Sequence, residues 1–138
     1  MDQNDFVDAL NEDLSSEFRS IVQYVQHIAT IKGAEYLSTI AELEAHVAQE
    51  LRHALVLAEQ VGFLGGVPTT VVPDVPPSTD SREALTLDLD LERSQLQRYR
   101  DRTQQAIDLG LPDVAEALRP LLEQTQEHVR DLQTVLDI

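Results

Sequence analysis

Val47-Ala48-Gln49-Glu50-Leu51-Arg52-His53-Ala54-Leu55-Val56-Leu57 is the stretch whose reading decides the fold. The apolar residues around it, at 36, 40, 43, 47, 54, 57, 61 and 64, recur at alternating intervals of three and four, the period of one helix face. Continued through its gap, the series lands on Glu50. A carboxylate therefore stands where a core residue belongs, and His53, three residues on, shares its face. An ionised group in a helical core costs several kcal/mol unless it is paired or binds a metal, so the substitution is informative.

Three other segments repeat the pattern. A first helix over about Asp5 to Lys32, capped by Asn4 or Asp5 and stopped by Gly33, carries the inward series Val7, Leu10, Leu14, Glu17, Ile21, Tyr24, Ile28, Ile31. Glu17 fills an apolar slot, with Tyr24 about two turns further along the same stripe. The second helix, roughly Glu35 to Leu64, follows a Gly33-Ala34 link so short that the two must be antiparallel neighbours. A third, about Ser81 to Leu109, is opened by Asp80 or Ser81 and reads Leu85, Leu89, Glu92, Leu96, Tyr99, Thr103, Ala106. Leu87 and Leu91 broaden its apolar face, and Asp88 and Asp90 are expected to point to solvent. The fourth, from Pro112 to about 137, reads Val114, Leu118, Leu121, Thr125, His128, Leu132, Val135, with Pro120 expected to kink it. His27 and His46 fall outside these series and are expected at the surface, although His46, one turn before Glu50, suits a supporting or transit ligand.

Between the second and third helices, Gly66 to Asp80 contains Pro68, Pro73, Pro76 and Pro77 without helical period. Fifteen extended residues reach about 50 Å, enough to return along a helix of ~45 Å. The third helix can then run parallel to the second. The expectation is a single all-α domain over 1–138, a four-helix bundle with a long crossover between the second and third helices.

Composition agrees and narrows the function. Leu, Ala, Glu, Gln, Arg and Asp dominate, which favours helices. With 25 acidic against 10 basic residues the net charge is −15, which argues against nucleic acid and anionic membranes as partners. No apolar run approaches a membrane span and no leader-like segment opens the chain, so a cytoplasmic protein is expected. Cysteine is absent, and any metal must be held by oxygen and imidazole.

Near the middle of all four helices, ligand-type residues interrupt an apolar stripe and can converge at one level. Glu17, Glu50 and His53 would hold one metal, and Glu50, Glu92 and His128 a second, with Glu50 bridging. Tyr24 is placed to supply an electron or to hydrogen-bond a ligand. The bland alternative pairs Glu17 with Arg19 and Glu50 with Arg52, but those arginines lie off the stripe.

At these residues the chain resembles the ferritin-like superfamily, bacterioferritins above all. Leu10 to Glu17 leading to Gln23-Tyr24 is similar to the bacterioferritin first helix, and Glu50-Leu51-Arg52-His53 through Gly62-Phe63-Leu64-Gly65-Gly66-Val67-Pro68 to the second and its exit. The resemblance implies ferroxidase activity: two irons per subunit, with manganese or zinc as other occupants, and oxidation of Fe(II) by oxygen or hydrogen peroxide for iron storage or detoxification. Three departures qualify it. Thr125 stands where the family has a second bridging glutamate, and Glu127 points about 100° away. Leu51 replaces the methionine that binds haem, so no haem is expected. The sequence stops near the end of the fourth helix, without the short fifth helix of 24-subunit shells, and the expectation is a homo-oligomer: a 12-subunit shell or a smaller assembly is favoured over an altered large cage. Rival expectations are another di-metal oxidoreductase on this bundle, such as a rubrerythrin-like peroxidase, a manganese catalase or a hydroxylase, and a non-catalytic helical binding module.

Overall fold

Each helix starts where the sequence offers its free backbone N–H groups a partner. In the computed structural model, which describes residues 1–138, the chain forms α1 (Gln3–Thr30), α2 (Leu37–Phe63), α3 (Ser81–Asp108) and α4 (Pro112–Leu136), with one 3-10 turn at Ala34–Tyr36. The cap of α1 is Asp2 rather than Asn4 or Asp5. Its carboxylate accepts from Asp5 N–H at 2.8 Å while Asp5 returns the bond to Asp2 N–H at 3.0 Å, a reciprocal capping box that starts the helix two residues early. Asp80 caps α3 through Glu83 N–H. Gly33 turns the chain between α1 and α2 at φ 118°, a left-handed value that a side chain would resist. The fourth helix runs unbroken through Pro120, an exposed position.

Cross-helix bonds fix the topology. Gln23 and His27 of α1 reach Asp88, Glu17 meets Gln95 and Tyr99, and Asp13 meets Arg102, so ascending numbers on α1 face descending numbers on α3. In the same way His46 faces Asp131, Gln49 faces His128 and His53 faces Gln124 across α2 and α4. With α1 antiparallel to both α2 and α3, α2 and α3 run parallel, and only a long crossover can join them. That crossover has neither helix nor strand, and polar residues of α1 pin it. Asn11 binds Val67 C=O and Thr69 N–H, Ser15 donates to Val71 C=O at 2.7 Å, and Gln26 exchanges two bonds with Ser78.

Two apolar clusters fill the bundle. One, around Phe6, Leu10, Leu57, Tyr99, Leu118 and Leu121, lies towards the start of α1; the other, around Tyr24, Leu43, Leu85, Leu89, Leu132 and Leu136, lies towards its end. Between them is a layer of buried polar side chains. The inward line of α1 also differs from the sequence expectation by one residue. It runs through Phe6, Leu10, Asp13, Glu17, Ser20, Tyr24 and His27, and Val7, Ile21 and Ile28 sit half-buried on its shoulder.

Three surface expectations are therefore corrected. His27 and Asp88 are fully buried and bonded to each other at 2.8 Å, and His46 is 3% exposed. Conversely, Leu87, expected to widen the core face of α3, is 38% exposed. The reason is common to all: polar residues that satisfy one another across the bundle occupy the centre of the face, and the apolar residues that mark the period flank them. The Asp13 carboxylate, gripped by Arg102 through two bonds of 2.8 and 3.2 Å, belongs to the same pattern. Burial pushes its pKa up to about 6 against the pull of Arg102 and Arg98. No helix is long and apolar enough to cross a membrane.

Candidate metal centre

The polar layer brings together one carboxylate from each of α1, α2 and α3 and one imidazole from each of α2 and α4. Glu17, Glu50 and His53 place ligand atoms within 4.8 Å of one another, and so do Glu50, Glu92 and His128. Glu50 belongs to both sets. None of the five is more than 1% exposed, and none is paired with an arginine or with Lys32. Arg52 is exposed, and Arg19, half-buried, makes no ion pair with Glu17.

Outer contacts hold Glu17, Glu92, His53 and His128 by one atom each. Glu17 Oε1 accepts from Gln95 Nε2 at 2.9 Å and from the Tyr99 hydroxyl, while Oε2 has no partner. Glu92 Oε1 accepts from the Tyr24 hydroxyl at 2.8 Å, and its Oε2 is likewise free, as is Glu50 Oε2. Both histidines follow one scheme. His53 Nε2–H donates to Gln124 Oε1 at 2.7 Å and His128 Nε2–H to Gln49 Oε1 at 2.6 Å. An amide oxygen only accepts, so each ring carries a proton on Nε2 and turns Nδ1 towards the carboxylates. His53 Nδ1 then lies 3.4 Å from Glu50 and 3.6 Å from Glu17, and His128 Nδ1 lies 3.0 Å from Glu50 and 3.3 Å from Glu92.

The electrostatics follow from this crowding. Burial first, then the charges of Glu17 and Glu92, push the Glu50 carboxyl well above the ordinary glutamate value. Burial pushes Glu92 the same way, but the hydrogen bonds to His128, Glu50 and Tyr24 outweigh it and its pKa is lowered. Burial disfavours the charged form of His53, yet its contacts with Glu17 and Gln124 leave the pKa raised. Tyr24 and Tyr99 are both pushed up, by burial and by the facing carboxylates, and stay neutral donors. Burial and the neighbouring His128 lower the His46 pKa.

Three carboxylates with free oxygens and two imidazole nitrogens, enclosed together without an arginine or lysine, suit divalent metal ions. The free atoms face inward, where a side chain would otherwise have to supply protons. A surface cleft of about 350 Å³, lined by Arg52, His53, Val56, Pro120, Leu121 and Gln124 among others, reaches the edge of His53.

Thr125 is buried at this level, and its Oγ1 has no partner. Glu127 is exposed and contributes nothing to the layer. Sequence reasoning missed Gln49, Gln124, Gln95 and the hydroxyl of Tyr99. The available signal was that a ligating imidazole needs an acceptor for its second nitrogen, and a glutamine lies beside the ligand series on α2 and on α4.

An all-α bundle whose parallel α2 and α3 are joined by a long crossover, with a buried carboxylate-histidine layer at mid-height, is the ferritin-like architecture. The chain belongs to the ferritin family, whose ferritin-like domain matches residues 7–138. No curated protein sequence matches it. Among solved structures, it is similar to one described as ferritin-like, diiron-carboxylate proteins from Bacillus anthracis str. Ames, at 31% identity and a TM-score of 0.92 over 99% of this chain and 98% of that one. BfrA from M. tuberculosis is 25% identical, with a TM-score of 0.84 over 94% and 81% of the two chains. A dodecameric thioferritin, the bacterioferritin-related protein from Bacteroides fragilis, is 28% identical, with a TM-score of 0.83 over 99% and 87%.

Proposed function

We propose that the protein is a ferroxidase, with iron(II) as its substrate, serving iron storage or detoxification. One observation carries the reading: Glu17, Glu50 and Glu92 face one another in a closed layer with free oxygens and no arginine or lysine to compensate them. Glu17, Glu50 and His53 hold one iron, and Glu50, Glu92 and His128 the other, with Glu50 shared. Two iron(II) ions give up one electron each. Oxygen takes both with two protons and leaves as hydrogen peroxide; where peroxide is the oxidant, the same two electrons and two protons yield two waters. Tyr24 and Gln95 hold Glu92 and Glu17 in place. The likeness to a diiron-carboxylate protein supports the metal, and the likeness to a dodecameric protein supports a homo-oligomer of twelve subunits or fewer. The exposed Val22 and Val25 of α1 and Leu51 and Leu55 of α2 are apolar surface for such contacts.

The test is an anaerobic iron(II) titration of metal-free protein, followed by oxygen while near-ultraviolet absorbance is recorded. Oxidation much faster than in buffer, by iron bound in the layer, is expected. Oxidation at the buffer rate refutes the reading and favours a binding module.

Two further outcomes are expected. Three carboxylates against two divalent cations leave one positive charge uncompensated in a buried layer, so the second iron is the weaker. Thr125→Glu supplies the missing charge and should tighten it, about tenfold or more, as seen in the iron(II) binding isotherm. An isotherm identical to wild type would mean that position 125 does not reach the metal. Gln124→Leu leaves all five ligands but removes the acceptor that orients His53, and metal affinity should fall about 10- to 100-fold.

A further inference from the structure

We propose that Tyr99 is a positioning residue of the metal layer: together with Gln95 it occupies both lone pairs of Glu17 Oε1 and confines Glu17 to binding a cation through Oε2 alone. The inference rests on the reading of the layer as a metal centre and adds the way in which one carboxylate binds there.

A carboxylate oxygen offers two lone-pair directions, and both on Glu17 Oε1 are taken by neutral donors from α3. Gln95 Nε2 donates at 2.9 Å, and the Tyr99 hydroxyl donates from one turn further along the helix. Oε2 is buried and has no partner. A cation that took Oε1 would strip a buried donor of its acceptor, whereas Oε2 is open to it without that loss.

Tyr99 is held in place by its surroundings. The residue is fully buried in the apolar cluster that contains Leu10, Leu14, Ala54 and Leu57, and its ring stands edge-on to the His53 imidazole, with centroids 6.3 Å apart and planes at 83°. Burial and the Glu17 charge push its pKa up, so the hydroxyl keeps the proton that it donates. Tyr99 thus adjoins Glu17 and His53, the two residues that belong to the first ligand set and not to the second.

Glu92 is held differently. Its Oε1 accepts from the Tyr24 hydroxyl at 2.8 Å and faces His128 Nδ1 at 3.3 Å, a nitrogen that a cation in the second set takes for itself. One lone pair of Oε1 is then open beside the free Oε2, and Glu92 can bind through two oxygens where Glu17 binds through one. The two metal positions are therefore unequal, and Tyr99 acts on only one of them.

Metal-free wild type and Tyr99→Phe, which keeps the ring and removes only the hydroxyl, are titrated anaerobically with cobalt(II), whose visible absorption weakens as its coordination number rises. In the variant one of the two equivalents should bind about 10- to 100-fold more weakly, and its visible band should lose intensity as Glu17 Oε1 becomes free to chelate. The other equivalent should keep its wild-type affinity and spectrum. An isotherm and spectrum identical to wild type overturn the proposal. Equal weakening of both equivalents also overturns it, because that marks a packing defect felt across the whole layer. Cobalt-soaked wild-type crystals give a reading that needs no variant: Glu17 should reach the ion by Oε2 with Oε1 still on Gln95 and Tyr99, and ligation through Oε1 overturns the proposal. The ferroxidase reading fails separately. Wild type that binds cobalt in this way but oxidises iron(II) no faster than buffer loses that reading and keeps the role of Tyr99, whereas wild type that binds no cobalt loses both.

Discussion

Glu50→Ala will reduce the rate of iron(II) oxidation at least about a hundredfold, towards that of iron in buffer. Losses in the outer shell of a metal site already cost up to about that much in affinity or activity, and Glu50 is proposed as an inner ligand. It is also the one residue common to both ligand sets. On the proposed assignment the other carboxylates each serve one iron, so removing Glu17 or Glu92 leaves one set whole, whereas removing Glu50 leaves two incomplete pairs, Glu17 with His53 and Glu92 with His128. Two-electron reduction of oxygen needs both irons in reach of one oxidant, and the shared carboxylate is what ties them. Stopped-flow absorbance on the anaerobically loaded variant measures the rate, and a binding isotherm run alongside it separates lost iron from slow chemistry. Wild-type kinetics in Glu50→Ala would sink the bridging role. Full iron occupancy with slow oxidation would instead keep the bridge and move its importance from binding to electron transfer.

The bundle and the convergence of the five candidate residues were legible because a carboxylate or imidazole in an apolar stripe is expensive and therefore rare. Glu17, Glu50, Glu92 and His128 each broke a period of three and four that is otherwise apolar, and the structure brings all of them to one level. The crossover was legible from prolines and from length. What periodicity could not give was the true centre of each face. On α1 and α3 that line contains Asp13 and His27, and Asp88, Gln95 and Arg102, polar residues whose burial depends on a partner on another helix. A single helix read alone scores such residues as surface, and the error carries to its neighbours: His27 and Asp88 each looked solvated because the other was not in view. His46 failed for the same reason, since its partners Tyr24, His128 and Asp131 come from α1 and α4. Gln49 and Gln124 were out of reach for a different one. Glutamine at a helix surface is common, and only the rotamer shows that its oxygen receives the imidazole proton.

Glu50→Gln will make the metal-free protein more stable while abolishing most of the stabilisation that metal confers. In the absence of metal, Glu50 is forced between Glu17 and Glu92 in a buried layer, and its carboxyl is pushed well above the usual value by burial and by those two charges. A folded-state pKa raised above the unfolded one means that the folded chain holds a proton the unfolded chain releases. The associated cost is absent at low pH, grows as pH rises from the unfolded glutamate value through the raised one, and is fully present beyond it. Glutamine has nearly the same shape and no charge to bury. Removing one of three crowded like charges therefore stabilises the metal-free chain, by about 1.4 kcal/mol for each unit by which the pKa is raised, and that gain should grow with pH over the same window. Metal reverses the balance in wild type. Cations that bind only the folded protein stabilise it by about 2.7 kcal/mol at a free concentration one hundred times Kd, which raises Tm by several degrees in a chain of this size. The glutamine variant keeps one oxygen donor but no bridging charge, so its Tm should move little on loading. Differential scanning calorimetry of the wild type and the variant, each metal-free and then loaded with a redox-inert divalent ion, gives all four values. The expected order is variant above wild type without metal and wild type above variant with it. A wild type that is the more stable of the two in both states would mean that Glu50 is stabilised by the fold itself, and that the layer is a structural network rather than a site built for cations.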